Sequence, residues 1–221
     1  MEKIDFKVPT QSRYRAAHEK PLHDAIWRII DIIAAVFAII ISAPVLLTIA
    51  GSIKLENWKA PIFFKQKRVG KNGQTFYMYK FRSMYVDAEA QLQKLQAQNE
   101  MQGHMFKMKD DPRITKVGKW IRKTSLDEFP QFINILKGDM SFVGPRPPLT
   151  QEYANYSNYD KKRLLVTPGC TGLWQVSGRN NLDFHEMVAL DLKYIEKRSI
   201  LFNMKILLLT FKEFTSKGNG M

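Results

Sequence analysis

The sequence predicts a helix-rich α+β fold made of a small β-hairpin and several helices, with an N-terminal re-entrant membrane helix and interfacial amphipathic helices. Residues 32–53 carry no charged side chain and are long enough to form a membrane helix. Lys71-Asn72-Gly73 is a turn signal between two segments that mix aromatic, apolar and polar residues, as β-hairpins do. Most other segments are rich in helix-forming residues and end near Gly or Pro.

The membrane segment is predicted over residues 24–54. Pro44 lies near its middle and removes a helical hydrogen bond, which the Ser42 hydroxyl could compensate. Lysine and arginine are abundant on both sides of the segment, and positive charge marks the cytoplasmic side. We therefore predict a helix-break-helix that enters and leaves by one face, with a kinked single-pass anchor as the alternative. Arg28 and Asp31, three residues apart, are expected to pair on one helix face.

The remaining chain is predicted to be one domain at residues 55–217, between a basic tail at 1–23 and a short tail at 218–221. The hairpin strands are expected at residues 61–69 and 74–82. Helices are expected at residues 86–101, 114–123, 128–136, 153–165, 182–198 and 201–214. The last of these helices alternates apolar clusters with Lys205 and Lys212, as an interfacial or core-packing helix would.

The charge balance limits the kinds of partner. The 221 residues carry a formal net charge of +13, so an anionic partner is expected. The apolar segment favours anionic lipid and phosphorylated substrates over nucleic acid, and the chain has no recognised nucleic-acid-binding motif. A Walker motif and a dinucleotide-binding loop are also absent from the sequence, and the four histidines lack metal-ligand spacing.

Two adjacent carboxylates, Asp127 and Glu128, lie at the predicted first turn of a helix. Thr124 or Ser125 could cap this helix, and Pro130 is tolerated near its start. The N-terminus of a helix favours anions such as carboxylates and phosphates. An ordinary acidic first turn explains the local pattern equally well.

Basic residues near this pair change the chemistry that it could perform. Arg122 precedes the carboxylates, and Arg146 follows them between Pro145 and Pro147, which stiffen its backbone. A guanidinium matches two phosphate oxygens at once. A carboxylate stored beside phosphate-binding groups is what covalent phosphoryl transfer requires.

Several longer motifs occur in one characteristic order. They are Tyr-Lys-Phe-Arg-Ser-Met at 79–84, Asp-Pro-Arg-Ile-Thr-Lys-Val-Gly at 111–118, Leu-Asp-Glu-Phe-Pro-Gln at 126–131, Val-Gly-Pro-Arg-Pro at 143–147, and Thr-Gly-Leu-Trp-Gln-Val-Ser-Gly-Arg at 171–179. Together they closely resemble the bacterial sugar transferase family, the monotopic phosphoglycosyl transferases, from about residue 24 to about residue 214. The resemblance implies transfer of a sugar 1-phosphate from a UDP-sugar to polyprenyl (undecaprenyl) phosphate, with release of UMP. It places the protein on the bacterial inner membrane, facing the cytoplasm, in exopolysaccharide, capsule or lipopolysaccharide biosynthesis.

The resemblance also implies roles for individual residues. Asp127 is the expected nucleophile, Glu128 its partner, and Asp127 the expected ligand of Mg²⁺ or Mn²⁺. The expected phosphate-binding residues are Lys80, Arg82, Arg122, Arg146 and Arg179. A structural role is equally favoured for Arg82, Arg122 and Arg179, and slightly favoured for Lys80 and for Arg113. The residues expected near the uridine or the sugar are Thr171, Gly172, Trp174 and Gln175, with a core position as the alternative for Trp174.

Three functions remain open from the residues alone. The first is the membrane phosphosugar transferase. It would act on glucose or galactose, because the sequence of the 171–179 motif resembles the hexose-specific branch of the family. The second is a basic, membrane-anchored binding protein in which the carboxylates only cap a helix. The third is a membrane-linked phosphohydrolase that passes its aspartyl phosphate to water. Membrane lipid is an expected partner in each case, and homo-oligomerisation is left open.

Overall fold

The computed structural model describes residues 19–95, 108, 111–178 and 182–217, and confirms the helix-rich α+β class. The predicted tails at 1–18 and 218–221 lie outside the described residues. The helices are α1 (Pro21–Glu56), α2 (Ala88–Leu95), α3 (Lys116–Lys123), α4 (Gln131–Lys137), α5 (Thr150–Ala154), α6 (Phe184–Lys197) and α7 (Ile200–Lys217). The strands are β1 (Phe63–Val69), β2 (Thr75–Phe81), β3 (Ser141–Val143) and β4 (Gly169–Thr171).

The hairpin is confirmed. Strands β1 and β2 pair antiparallel from Phe63 opposite Phe81 to Val69 opposite Thr75. A single 3₁₀ turn joins them, and Asn72 there has a φ of 56°. Asparagine adopts this left-handed conformation more readily than other non-glycine residues, which explains the turn signal in the sequence.

Other predicted helices differ from the structure in extent. The helix predicted at 86–101 is described only over Ala88–Leu95, since residues 96–107 lie outside the described part. The helix predicted at 153–165 is instead α5 followed by a separate 3₁₀ turn, Asp160–Leu165. The helices predicted at 182–198 and 201–214 are confirmed as α6 and α7.

Strands β3 and β4 form a second, parallel pair that brings two distant motifs together. Ser141 lies opposite Gly169, and Val143 lies opposite Thr171. At Gly169 an added Cβ would lie 2.1 Å from the backbone nitrogen of Gly144, so no larger residue fits there. This close approach fixes the start of the Pro-Arg-Pro turn against the start of the 171–175 segment.

Helix α1 corrects one prediction about the membrane segment. It runs without interruption from Pro21 to Glu56, through Pro44, so the predicted division into two helices is wrong. Proline at 44 frees the carbonyl of Ile40. The Ser42 hydroxyl does not take that carbonyl, because it donates to the carbonyl of Ala38 at 2.6 Å. The helix also begins three residues before, and ends two residues after, the predicted 24–54 segment.

The first part of α1 packs closely on the rest of the molecule. The Trp27 indole donates to the Ser141 hydroxyl at 3.0 Å, and Asp31 accepts from the backbone N–H of Phe142 at 3.1 Å. Arg28 donates to the carbonyls of Ile135 and Leu136. The predicted ion pair between Arg28 and Asp31 is therefore wrong, since each side chain instead binds backbone groups that follow Asp127 and Glu128 in sequence.

The last part of α1 packs on the same globular region. Ile49 and Ile53 form a buried cluster with Phe81 of the hairpin and Ile121 of α3. Glu56 accepts from the backbone N–H groups that open α3, at 2.8 Å and 3.3 Å. Glu56 therefore caps α3 from another element, as a carboxylate at a helix N-terminus does.

Between these two attachments α1 presents large apolar side chains to the surroundings. Ile33 and Phe37 are each 65% exposed, and Ile40 is 66% exposed. Among the described residues, α1 is the helix long and apolar enough to cross a membrane. Its 36 residues correspond to about 54 Å.

Asn134 links the hairpin to α4 through its side-chain amide, and it is fully buried. It donates to the carbonyl of Tyr77 at 2.7 Å and accepts from the N–H of Tyr79 at 2.9 Å. One side chain therefore satisfies two backbone groups on the outer edge of β2, as a neighbouring strand would.

We expect Asn134→Leu to destabilise the protein by about 2–4 kcal/mol, because it removes a fully buried amide and leaves these two partly buried backbone groups without their partner. The measurement is thermal or urea unfolding of the purified protein in detergent. Asn155→Leu is the matched control, because Asn155 is exposed and its amide contacts a single carbonyl on its own helix. Equal stability of the two variants would contradict a bridging role for Asn134.

Candidate active site

Asp127 and Glu128 lie in a short 3₁₀ turn, Leu126–Glu128, between α3 and α4. The predicted helix at 128–136 starts later, at Gln131, so the pair precedes the helix instead of forming its first turn. The predicted caps are also wrong. Ser125 adopts a left-handed conformation with a φ of 55° and makes no capping bond, and the Thr124 hydroxyl donates back to carbonyls of α3. The tight turn separates the two carboxylates from both helices.

Asp127 is a buried carboxylate, with 7% of its surface exposed. Burial raises its pKa to about 6, and the negative charge of Glu128 adds to this rise. The positive charges of Lys80 and Arg122 act in the opposite direction. The pKa of Asp127 is therefore set by the balance between burial and the surrounding charges.

Glu128 is held differently. Its carboxylate accepts from Lys80 Nζ at 2.6 Å, in an ion pair that joins the 3₁₀ turn to strand β2. Burial acts to raise the pKa of Glu128, but the charge and hydrogen bond of Lys80 outweigh it and hold this pKa below its usual value. Gln131 also bonds the carboxylate. The pKa values of the two adjacent carboxylates are therefore shifted in opposite directions, because Lys80 and Gln131 bond Glu128 directly.

The structure brings three of the predicted cations to this pair. Lys80 contacts Glu128 directly, in an ion pair that fits both the structural role and a role in the site. Arg122, at the end of α3, acts electrostatically on Asp127, and Arg146 acts on Glu128. Arg146 is exposed, whereas the prolines on either side of it are buried.

The other predicted cations contact different groups. Arg82 donates to the carbonyl of Pro61 at 3.0 Å and lies over the ring of Phe64, so it braces the hairpin. Arg113 is buried and forms a bidentate pair with Asp111, whose carboxylate also accepts from the backbone N–H of Arg113, as a structural role predicts. Arg179 lies outside the described residues.

The 171–175 segment lies against the Pro-Arg-Pro turn. The N–H of Gly144 donates to the carbonyl of Thr171 at 2.8 Å, and a Cβ on Gly172 would lie 2.4 Å from the carbonyl oxygen of Gly144. The Thr171 hydroxyl bonds that of Thr210 on α7 at 2.8 Å. Trp174 is buried, and its indole N–H has no hydrogen-bond partner among the described residues. Core packing explains why the ring of Trp174 is buried, but it leaves the indole N–H free to donate a hydrogen bond to a ligand.

Sequence analysis missed Arg68, which the structure buries behind the Pro-Arg-Pro turn. Its guanidinium donates to the carbonyl of Pro147 at 3.0 Å, and it is 5% exposed. A signal was present, because alternation along β1 places Arg68 on the same inward face as Phe64 and Gln66. An arginine on the inward face of a strand needs a partner, and the sequence alone does not name one.

The acidic groups limit the kind of metal site that can form here. Among the described residues, no group of three or more His, Cys, Asp or Glu side chains is placed to hold a metal ion. Asp127 and Glu128 are adjacent carboxylates, and Lys80 and Gln131 already bond Glu128. Such a pair could contribute one or two oxygen ligands to a cation whose other ligands come from a phosphorylated substrate or water.

Comparisons with known proteins agree with this arrangement. The family model described as bacterial sugar transferase matches residues 22–217. The galactosyl transferase CpsE of Streptococcus agalactiae is 53% identical over 186 residues, which cover 84% of this chain and 41% of that relative. The undecaprenyl-phosphate galactose phosphotransferase of Salmonella typhimurium is 40% identical over 189 residues, which cover 84% of this chain and 39% of that relative.

A further relative is matched over most of its own length. The exopolysaccharide production protein ExoY of Sinorhizobium fredii is 38% identical over 195 residues, which cover 86% of each chain. By contrast, this chain spans about two fifths of the length of the CpsE and Salmonella relatives. The family match covers the apolar helix, the hairpin, the carboxylate pair and the Pro-Arg-Pro turn together. This chain therefore belongs to the bacterial sugar transferase family.

Proposed function

We propose that the protein transfers a sugar 1-phosphate from a UDP-hexose to polyprenyl phosphate, with release of UMP. The observation that carries this proposal is the buried Asp127 beside Glu128, with Lys80, Arg122 and Arg146 acting on the pair. A buried carboxylate among cations is suited to attack a phosphorus atom whose own negative charge must be neutralised. Names of relatives that specify undecaprenyl phosphate as acceptor support the same reaction class.

In the first half-reaction, a carboxylate oxygen of Asp127 attacks the phosphorus that bears the sugar. The bond between this phosphorus and the oxygen that bridges to UMP breaks, and UMP leaves with the electron pair. The product is an acyl phosphate between Asp127 and the sugar. Asp127 has to be ionised for this attack, so its pKa of about 6 keeps most of the population reactive at neutral pH.

In the second half-reaction, a phosphate oxygen of the polyprenyl phosphate attacks the same phosphorus. The acyl phosphate bond breaks, and the carboxylate of Asp127 is regenerated. Glu128, ionised through its pair with Lys80, is suited to orient this acceptor or to remove its proton. Dividing the reaction in two avoids bringing two highly charged substrates together at once.

The carboxylate pair also fits a divalent cation, Mg²⁺ or Mn²⁺. Magnesium is commonly bound by one or two carboxylates together with substrate phosphates, and Asp127 and Glu128 lie side by side in one turn. Asp127 is the better candidate ligand, because Lys80 and Gln131 already bond Glu128. When bound, the cation would supply positive charge to the diphosphate and favour the ionised form of Asp127.

The sugar is proposed to be glucose or galactose. Relatives of this chain are named as a galactosyl transferase, a galactose phosphotransferase and, in Escherichia coli, a UDP-glucose:undecaprenyl-phosphate glucose-1-phosphate transferase. The last is 39% identical over 197 residues. Relatives named as exopolysaccharide production proteins support a role in starting a surface polysaccharide.

The protein is proposed to lie on the bacterial inner membrane with its globular region in the cytoplasm. Both ends of α1 pack on this one region, through Trp27 and Asp31 near the start and through Ile53 and Glu56 at the end. If the globular region stays on one side, both ends of α1 stay there too. The exposed apolar middle of α1 would then enter the bilayer from the cytoplasmic face and return, with the continuous helix bending near Pro44.

This topology predicts the labelling of single cysteines in intact cells. We expect cysteines introduced at Lys20→Cys and Lys59→Cys, in a Cys170→Ser background, both to resist a membrane-impermeant thiol reagent. Both should react after the cells are opened, which is the control for accessibility. Labelling of one position but not the other in intact cells would establish a spanning helix and contradict the proposal.

The overall reaction is tested by incubating the purified protein with radiolabelled UDP-glucose or UDP-galactose, Mg²⁺ and undecaprenyl phosphate. We expect lipid-linked label and an equal amount of UMP. Free sugar phosphate in place of lipid-linked label would indicate a hydrolase. No turnover with either sugar, under conditions in which a family relative is active, would indicate a binding protein.

Lys80→Met should change the pH dependence of turnover. In the wild-type protein kcat/KM is expected to fall as the pH drops through about 6, because Asp127 becomes protonated. Without the lysine charge, the pKa values of Asp127 and Glu128 both rise, so the acid limb moves to higher pH. At pH 6 the variant should lose at least about tenfold more activity than it loses at pH 8.

The pH profile of kcat/KM for Lys80→Met and for a matched control measures this shift. The control is Lys65→Met, since Lys65 is an exposed lysine on β1 that lies over the ring of Tyr79. Its profile should match that of the wild type. An unchanged acid limb in Lys80→Met would show that Lys80 does not set the ionisation of the pair.

A further inference from the structure

Arg68 is a buried cation without a carboxylate partner among the described residues. Its Nε and Nη2 donate to the side-chain oxygen of Gln66 at 3.1 Å and 2.7 Å, and Nη1 donates to the carbonyl of Pro147 at 3.0 Å. These partners are neutral. The buried arginines Arg113, Arg163 and Arg198, in contrast, each form an ion pair with an aspartate. Burying a guanidinium away from any anion costs free energy, and a bound anion would offset this cost.

Surrounding charges do not remove this imbalance. Burial and the positive charge of Arg146 lower the pKa of Arg68 to about 10, and the carboxylates of Glu152 and Glu128 offset only part of the effect. Arg68 and Arg146 therefore repel each other electrostatically at the Pro-Arg-Pro turn. Like charges held together favour an anion between or beside them.

Arg68 is also part of the framework that holds this turn. Val69, the next residue of β1, donates its N–H to the carbonyl of Pro148 at 3.0 Å, and Arg68 forms an isolated bridge with Leu149. The carbonyl of Pro147 is the one that accepts from Arg68. The end of β1 thus fixes the residues that directly follow Arg146, while Arg146 itself remains exposed.

We propose that Arg68 is a positioning residue for a diphosphate-binding site at the Pro-Arg-Pro turn, and that its unpaired charge strengthens the binding of the diphosphate by Arg146. This role rests on the proposed function, in which that turn receives the diphosphate of the nucleotide sugar. Arg68 acts in two ways. Its hydrogen bond to Pro147 holds the turn in place, and its buried charge attracts the diphosphate through the protein interior, where solvent screens charges poorly.

Two substitutions separate these contributions. Arg68→Lys keeps the positive charge but loses the planar fork that bonds Gln66 and Pro147 together. Arg68→Gln removes the charge but retains a donor for the carbonyl of Pro147. If the charge contributes as proposed, Arg68→Gln should bind diphosphates more weakly than Arg68→Lys does, at equal folded fractions.

The test is calorimetric titration of the purified protein in detergent with UDP and with inorganic pyrophosphate, with uridine as the uncharged probe. We expect Arg68→Gln to weaken the binding of both diphosphate probes by at least about tenfold, and Arg68→Lys to weaken it only a few-fold. Any binding of uridine should be unchanged. In steady-state kinetics the loss for Arg68→Gln should appear in KM for the UDP-sugar more than in kcat.

The control is Arg113→Gln, which removes another buried arginine, one that is paired with Asp111. It should lower the thermal unfolding midpoint without changing diphosphate affinity.

Wild-type affinity for UDP and pyrophosphate in folded Arg68→Gln overturns the proposal, as does the absence of binding of either probe to the wild-type protein. If Arg68→Gln does not fold, a loss of only a few-fold in Arg68→Lys, with wild-type salt dependence of binding, supports the charge role. A loss in Arg68→Lys as large as that in Arg146→Gln overturns it.

These outcomes are distinct from a failure of the proposed function. Binding of pyrophosphate and UDP requires no turnover and no lipid acceptor. A wild-type protein that binds both probes through Arg68 but transfers no sugar phosphate would contradict the proposed reaction alone. Normal turnover together with normal affinity in Arg68→Gln would contradict only the role of Arg68.

Discussion

Asp127→Asn is expected to reduce sugar phosphate transfer by at least about 10³-fold. The amide keeps the shape of the side chain and some of its hydrogen bonds, but it lacks the anionic oxygen that forms the bond to phosphorus. Because Asp127 is buried with a raised pKa, replacing it by a neutral group should not destabilise the fold. A loss of turnover without a loss of stability would therefore report on chemistry.

The measurement is intact-protein mass spectrometry after incubation with a UDP-hexose and Mg²⁺, without lipid acceptor. The wild-type protein should gain the mass of one sugar phosphate, and hydroxylamine should remove it, as it does with acyl phosphates. The adduct should be absent from Asp127→Asn. Adding polyprenyl phosphate to the isolated adduct should transfer the sugar phosphate to lipid.

Glu128→Gln is the matched variant, since it makes the same change on the neighbouring carboxylate. Neighbouring residues in a helical turn point in different directions, so the two carboxylates cannot present the same geometry to one phosphorus. We expect Glu128→Gln to form the adduct and to transfer it slowly, because Glu128 serves mainly the second half-reaction. Normal turnover in Asp127→Asn, or an adduct that maps to another residue, would refute the proposed nucleophile.

Chelation of divalent cations is expected to abolish transfer, and added Mg²⁺ or Mn²⁺ should restore it. A diphosphate beside two carboxylates brings together several negative charges. Lys80 already neutralises Glu128, and the exposed Arg146 and the nearby Arg122 are not sufficient to offset the rest. The measurement is the initial rate with excess EDTA, followed by titration with each cation.

Ionic strength is the control for this experiment, because EDTA and added salts also change screening. Sodium chloride at matched ionic strength should reduce the rate much less than chelation does, since buried groups are poorly screened. Full activity in excess EDTA would show that the protein's own cations suffice. In that case Asp127 would act without a metal ion, and the nucleophile experiment would be carried out in EDTA.

Local patterns were sufficient to predict several elements. The hairpin follows from the Lys71-Asn72-Gly73 turn, because Asn72 occupies a conformation that few residues adopt readily. Helices α6 and α7 follow from apolar periodicity, and the structure adds a cap at Asp183, where the side chain accepts from the N–H of Glu186. These features depend on residues three or four positions apart, which a sequence displays directly.

Predictions that concerned backbone details near the site were less accurate. The pair Asp127 and Glu128 was placed on a helix, but it occupies a 3₁₀ turn that begins after the left-handed Ser125. The break expected at Pro44 is absent from the secondary structure, because the surrounding turns of α1 remain helical. Propensity rules describe isolated segments, and packing on both ends of α1 adds interactions that those rules omit.

The α+β class, the apolar helix, the hairpin and the adjacent carboxylates can all be inferred from the amino-acid order. Which cations act on these carboxylates depends on the three-dimensional packing. Lys80 meets Glu128 across 48 positions of the chain, and Arg68 meets Pro147 across 79. The burial that raises the pKa of Asp127 is likewise a property of the packed molecule. Charge–charge energies and desolvation depend on distance and dielectric in space, and no periodicity along the chain encodes either quantity.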